Sequence, residues 1–136
     1  MLLIKTLGYS GLLPFIYLTY ALMTGNDGQP EESFLLFSIY SCLILGFMSG
    51  VIWPILYQHP NQNRLALWTV SFPVFSFLSF IWLSDYILLI QTGLFILLRI
   101  VEVAEKIDEA YPMGYASLRW QLTSIVSVCH LCVFFV

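Results

Sequence analysis

The chain has 136 residues and a formal net charge of −3, and it is 60% hydrophobic but only 10% charged, with a mean hydropathy of +0.87. Soluble domains carry about 25% charged residues, so this composition excludes a water-soluble domain. Residues 6–26, 33–63, 65–84, 86–98 and 120–136 contain no Asp, Glu, Lys or Arg, and a helix needs only about 17–25 apolar residues to cross a bilayer core.

These runs are continuously apolar rather than alternating. They therefore predict helices and not a barrel, because in lipid each segment must satisfy its own backbone N–H groups. The expected architecture is all-α: one polytopic bundle of five transmembrane helices near 7–23, 34–56, 65–83, 86–103 and 118–136, leaving about 40 residues for termini and loops. The first run follows Lys5 as a signal peptide would. Ala21-Leu22-Met23-Thr24-Gly25 offers no small-x-small cleavage site, however, so the helix is expected to be retained.

Pro14 lies in the first span, Pro54 at the end of the second and Pro73 in the third. Each removes a backbone N–H and frees the carbonyl four residues earlier, at Ser10, Gly50 and Thr69. A breaker-rich loop, Gly25-Asn26-Asp27-Gly28-Gln29-Pro30, precedes the second span. Within that span Cys42, Gly46 and Gly50 stand four apart, a spacing that lets another helix approach closely. A polar loop at residues 58–63 leads to the third span, and Ser84-Asp85 alone joins it to the fourth, which makes those two antiparallel neighbours. The pair Glu102/Lys106 predicts that the fourth helix continues over 104–110 until Tyr111-Pro112-Met113-Gly114 stops it. Ser33, Asn63, Asp85 and Ser117 are the expected N-caps of the last four helices.

With five spans, Lys5, Arg64, Arg99, Lys106 and Arg119 all fall on the side of the N-terminus, which puts that terminus inside and the C-terminus outside. Trp53, Trp68, Trp120, Tyr57 and Tyr115 gather at the inner boundary, Trp82 and Tyr86 at the outer one. Asp27, Glu31, Glu32 and Asp85 form an acidic outer rim. No basic patch supports nucleic-acid binding.

Two polar stripes carry the sharpest functional signal. At 100° per residue Thr92, Arg99, Glu102 and Lys106 share a face of the fourth helix, and Arg119, Thr123, Ser127 and His130 share a face of the fifth. Ionisable groups inside a membrane are costly and call for an explanation. One reading is an inner-leaflet pocket for a lipid, quinone or other small molecule, lined by Trp53, Arg99, Arg119, Trp120, Thr123 and His130. The other is snorkelling and structural pairing of Arg99 with Glu102 or Glu105. Cys129-His130-Leu131-Cys132 has the spacing of a thiol redox pair, and with Cys42 it offers ligand types for Zn or Cu(I), yet it lies within a span rather than in a polar loop. No metal site and no resident cofactor are expected. No phosphate loop, metalloprotease helix or nucleophile elbow is present, so an enzyme is the minority reading.

Gly46-Phe47-Met48-Ser49-Gly50-Val51-Ile52-Trp53, then Tyr111-Pro112, Tyr115 and Leu118-Arg119-Trp120-Gln121-Leu122-Thr123, together with the opening Leu7-Gly8-Tyr9-Ser10-Gly11-Leu12-Leu13-Pro14-Phe15, resemble a family of small membrane proteins of unknown function that includes mitochondrial transmembrane protein 69. The resemblance implies five helices in an inner membrane, bacterial or mitochondrial. This chain departs from the family pattern at Ser49 and Pro54 around Trp53, and at Gly114 before Tyr115.

The leading expectation is a non-catalytic accessory or assembly subunit of a larger, respiratory-type membrane complex, with membrane lipids and a membrane-protein partner or a second copy as its neighbours. The alternatives are the pocket around Arg99 and Arg119 and thiol chemistry at Cys129 and Cys132.

Overall fold

The computed structural model describes residues 2–26 and 28–136, so the expected places of Asp27 in the outer rim and in the first loop lie outside the described residues. The fold is all-α: α1 (Leu2–Ser10), α2 (Leu13–Thr24), α3 (Pro30–Gly50), α4 (Gln62–Trp82), α5 (Ile87–Ala104) and α6 (Tyr115–Phe134), with short 3-10 turns at Trp53–Gln58, Ser84–Tyr86 and Ile107–Ala110. Because α1 and α2 follow one another as the two halves of one run, the described chain forms five helical segments. Four of them, Leu2–Thr24, Pro30–Gln58, Gln62–Trp82 and Ser84–Ala104, are long and apolar enough to cross a membrane, which indicates a multi-pass membrane protein. The remaining one, α6, is as long but less apolar, since it carries Arg119, Gln121 and His130.

α5 packs most extensively on α6, and α3 on α4; α2 bridges α3 and α6, while α3 and α5 meet across the middle. The expected neighbours α4 and α5 do pack together across the Ser84–Tyr86 turn. Apolar side chains such as Leu43, Phe47, Leu67, Val74 and Phe77 stand exposed around the bundle, a belt suited to lipid. The interior is unusually polar, with Ser41, Ser49, Thr69, Ser76, Gln91 and Thr92 buried beside Phe37, Leu45 and Phe95. Such groups join helices where apolar contact alone gains nothing over lipid.

Helix ends differ from expectation. α3 begins at Pro30, α4 follows Asn61, α5 follows the turn at Ser84–Tyr86, and α6 follows Gly114 at φ 85°. Ser33, Asn63 and Ser117 therefore lie inside helices, and Asp85 lies in a 3-10 turn. Proline preset for a first turn at Pro30 extends α3 beyond its apolar run, and left-handed Gly114 sets the start of α6 without a polar cap.

The prolines act where they stand. Pro14 lies in the first turn of α2, and the chain breaks between α1 and α2 at Gly11-Leu12; the Tyr40 hydroxyl donates to the Gly11 carbonyl at 2.8 Å across the break. Pro73 sits within α4 and leaves the Thr69 carbonyl without its helical donor, and the Ser49 hydroxyl of α3 donates to that carbonyl at 2.5 Å. Gly46 provides the close approach one turn earlier: a Cβ there would meet Pro73 Cβ at 3.7 Å. Nothing stands within 4 Å of a Cβ at Gly50, and Cys42 instead touches Gln91 of α5. Ser49→Ala should cost about 1–3 kcal/mol, the cost of a buried carbonyl left unpaired. Adding Pro73→Ala returns a backbone donor and should recover most of that loss in thermal unfolding in detergent. If the double variant melts no higher than Ser49→Ala alone, the carbonyl is not the cause.

Candidate functional site

α5 does not continue through 104–110. It ends at Ala104, Lys106 adopts a left-handed conformation (φ 59°), and the chain folds back through Ile107–Ala110. Continued helix would carry Asp108 about 13 Å beyond Arg99 and onto the opposite face. The reversal instead brings the Asp108 carboxylate onto Arg99, with Nη1 to Oδ1 at 3.0 Å and Nη2 to Oδ2 at 2.9 Å. That two-pronged pairing outweighs the expected Glu102/Lys106 pair, because Glu102 is occupied elsewhere.

Glu102 is the hub. Arg99 Nη1 donates to its Oε2, Arg119 Nε donates to Oε2 at 3.1 Å, and Arg119 Nη2 donates to Oε1. Arg99, Glu102 and Arg119 are all fully buried, and Asp108 is partly exposed at the rim. Two guanidiniums and two carboxylates make the cluster neutral as a whole, the condition under which buried charges are tolerated.

Arg119 also closes the end of α3. Ile52 N–H donates to the Ser49 carbonyl in a 3-10 step, so the Met48 carbonyl lacks its helical donor, and Arg119 Nη2 donates to it at 3.2 Å. Arg119 Nη1 lies 3.4 Å from Met48 Sδ. Aromatic rings complete the shell: Arg99 Cζ is 4.6 Å from the centre of the Trp120 ring, and Arg119 Cζ is 5.6 Å from Tyr111 and 5.9 Å from Tyr115. Three helices and a turn thus converge on one charge cluster, with α3 joined through Arg119 and the turn through Arg99. Nearby, at the same end, Glu105 accepts from Arg64 Nη2 at 2.9 Å, and the His59 ring meets the Glu105 carbonyl at 3.0 Å.

The Tyr111 hydroxyl is buried with no hydrogen-bond partner among the described residues. Burial first, then the neighbouring Tyr115, pushes its phenol above the ordinary tyrosine range. A raised folded value favours the fold below the unfolded tyrosine value of about 10, and that advantage fades as pH rises above it. Tyr111→Phe keeps the ring beside Arg119 and removes the unpaired hydroxyl. It should hold stability or raise it by up to about 1 kcal/mol near neutral pH, with a weaker decline above pH 10; a destabilised variant would show that the hydroxyl is bonded.

Of the other residues singled out in the sequence, Thr123 and Ser127 are buried on the inner face of α6 with Arg119 and His130. Trp53 and Trp120 remain about half exposed, Trp53 on the turn after α3 and Trp120 over Arg99. His130 lies far from the charge cluster along α6, enclosed by Phe15, Phe37 and Phe95 with ring centres 4.9–5.6 Å away. Its Nδ1 donates to the Val126 carbonyl at 2.7 Å, so Nε2 is the acceptor for the Ser41 hydroxyl at 2.5 Å. Gln91 Nε2 donates to Ser76 Oγ at 2.7 Å and to Cys42 Sγ at 2.9 Å. Cys42, Cys129 and Cys132 are free thiols, and the described residues contain no cluster of three or more His, Cys, Asp or Glu able to hold a metal ion.

The functional groups that sequence reasoning missed are Asp108, the Met48 carbonyl and Ser41. A helix-stop signal at Lys106 is absent from its residue type, so Asp108 had no visible route back to Arg99.

A second feature adjoins the cluster. An apolar groove of about 250 Å³ runs between α1 and the faces of α3, α5 and α6, with Leu12, Met48, Phe95 and Val126 among its walls and Tyr115 and Thr123 as its few polar lining residues. Comparison with curated proteins and with solved structures gives no match. A family model does match along residues 2–135, nearly the whole length, and the chain belongs to that family, described as proteins of unknown function (DUF3429).

Proposed function

We propose that the protein is a non-catalytic accessory or assembly subunit of a larger complex in an inner membrane, bacterial or mitochondrial, with its N-terminus inside and its C-terminus outside. The observation that carries this reading is the internal neutralisation of the charge cluster: Glu102 and Asp108 occupy both guanidiniums, so the buried ions serve to join α3, α5 and α6. What the protein then offers its surroundings is an apolar outer surface and little aqueous chain. All five basic residues fall toward the end of the bundle that holds the cluster, which supports the orientation. Kinship with mitochondrial transmembrane protein 69 belongs to the same proposal and agrees with an inner-membrane location.

The reading as a binding site around Arg99 and Arg119 draws support from their shared carboxylate, which shows that an anion fits between them; a ligand there must displace Glu102 or Asp108. Thiol chemistry at Cys129 and Cys132 has less support, since Cys129 is buried in α6.

Crosslinking in intact membranes followed by native mass spectrometry from mild detergent tests the leading reading. The expected result is one recurrent protein partner in defined stoichiometry. Recovery of the monomer alone under both conditions would overturn it.

A further inference from the structure

We propose that Arg99 is a seat for the phosphate group of a phosphodiester, kept shut by the chain's own Asp108 until the turn at Ile107–Ala110 swings away. This deepens the second reading above, a binding site around Arg99 and Arg119, and is independent of the partner that the leading reading expects.

Two donors at the cluster lack an acceptor. Arg99 Nε and the Tyr111 hydroxyl are both buried without a hydrogen-bond partner among the described residues, and Arg99 as a whole is fully buried. Tyr111 lies close enough to Arg99 and Asp108 for their charges to act on its phenol. Buried polar groups are nearly always satisfied, so two unsatisfied donors in one cluster ask for an acceptor beyond the carboxylates of the chain. Glu102 and Asp108 are spent on Arg99 Nη1, Arg99 Nη2 and Arg119. A carboxylate is planar, whereas a phosphate group spreads its oxygens out of one plane and has acceptors for Nε and a phenol besides.

Of the two carboxylates, Asp108 is the one able to leave. Glu102 is sealed within α5, whereas the Asp108 side chain is 24% exposed and rides on a short 3-10 turn. That turn is entered through Lys106 at φ 59°, a left-handed conformation that crowds any residue with a Cβ. Opening the turn therefore relieves backbone strain as the ion pair is given up. Charge then selects the ligand. The two guanidiniums and two carboxylates sum to zero, and exchanging Asp108 for a singly charged phosphodiester keeps that sum, while a dianionic phosphate monoester leaves a buried excess. The half-exposed Trp120 ring lies over Arg99. Tryptophan gathers at the headgroup level of a bilayer, the depth at which phosphodiesters are abundant.

The test titrates the full chain in non-ionic detergent with phosphatidylglycerol, read by native mass spectrometry. Diacylglycerol serves as the lipid without phosphate, and glycerophosphoglycerol as the headgroup without acyl chains. Asp108→Asn removes the competitor and should tighten phosphatidylglycerol binding about tenfold. Glu109→Gln removes an exposed charge one residue further on and should leave binding as it was. Tyr111→Phe added to Asp108→Asn should weaken binding again about tenfold, through the loss of one hydrogen bond to a charged group, without lowering the thermal midpoint. The parent chain supplies a reading that needs no variant to fold: phosphatidylglycerol should speed tryptic cleavage after Lys106 several-fold relative to cleavage after exposed Arg64, and diacylglycerol should not. Glycerophosphoglycerol that binds as well as phosphatidylglycerol supports the seat with a soluble phosphodiester as ligand; binding of phosphatidylglycerol alone supports it with a membrane lipid. Equal binding to the parent, Asp108→Asn and Glu109→Gln that is lost in Arg99→Met overturns the proposal and leaves the second reading standing. Tyr111→Phe without effect on binding overturns it likewise. No binding in any form, with Lys106 no more open to cleavage, overturns the proposal and the second reading together.

Discussion

Glu102→Gln should be the most damaging single substitution in this protein, costing about 3–5 kcal/mol, because it leaves guanidinium charge uncompensated in a sealed interior. Arg119 loses its ionic partner altogether, whereas Arg99 keeps Asp108. The same asymmetry predicts a rescue. Glu102→Gln combined with Arg119→Met removes the unpaired cation and fills its space, leaving Arg99 and Asp108 as a matched pair. The double variant should therefore be more stable than Glu102→Gln alone by at least about 1–2 kcal/mol, read as the thermal midpoint in detergent or as the yield of monodisperse protein. Two independent losses that simply add would show that Glu102 and Arg119 do not act on one another. Arg99→Met, by contrast, strands Asp108, which is partly exposed and can be hydrated, so its cost should be the smaller of the two arginine losses.

His130→Ala is expected to follow in severity, at about 2–3 kcal/mol. Lipid is as apolar as the bundle interior, so little is lost by transfer; the cost comes from the void among Phe15, Phe37 and Phe95 and from the Ser41 hydroxyl deprived of its acceptor. Adding Ser41→Ala removes the second contribution, and the double variant should be no worse than His130→Ala alone. A His130→Ala protein that melts like the parent would mean that the ring is not part of the packed core.

Much of this architecture was legible from charge and periodicity. The runs without charge marked the helices, and the spacing of Arg119, Thr123, Ser127 and His130 placed all four on the buried face of α6. Arg99 and Arg119 were marked as the groups most in need of explanation, and Glu102 was visible as a neighbour of Arg99 three residues away. What stayed hidden depended on backbone irregularity. The left-handed Lys106 cannot be read from a residue type that favours helix, so the return of Asp108 was invisible. The Met48 carbonyl becomes an acceptor only because α3 tightens to a 3-10 turn at its end, and main-chain atoms leave no mark in a pattern of side chains. The freed Thr69 carbonyl was foreseeable from Pro73, but its donor Ser49 lies twenty residues away on another helix.

The shared carboxylate also bears on how the chain enters a membrane. α6 is the least apolar of the five segments, and Arg119 would oppose its partition into lipid on its own. Glu102 and Asp108 lie in and just beyond α5, a short turn upstream, and together with Arg99 and Arg119 they sum to zero. A hairpin of α5 and α6 inserted as one body carries no net charge from these four groups across the interface. Biogenesis on this view waits for Tyr115–Phe134 to emerge before Ser84–Ala104 can settle, which makes α6 a condition for stable insertion of the helix before it.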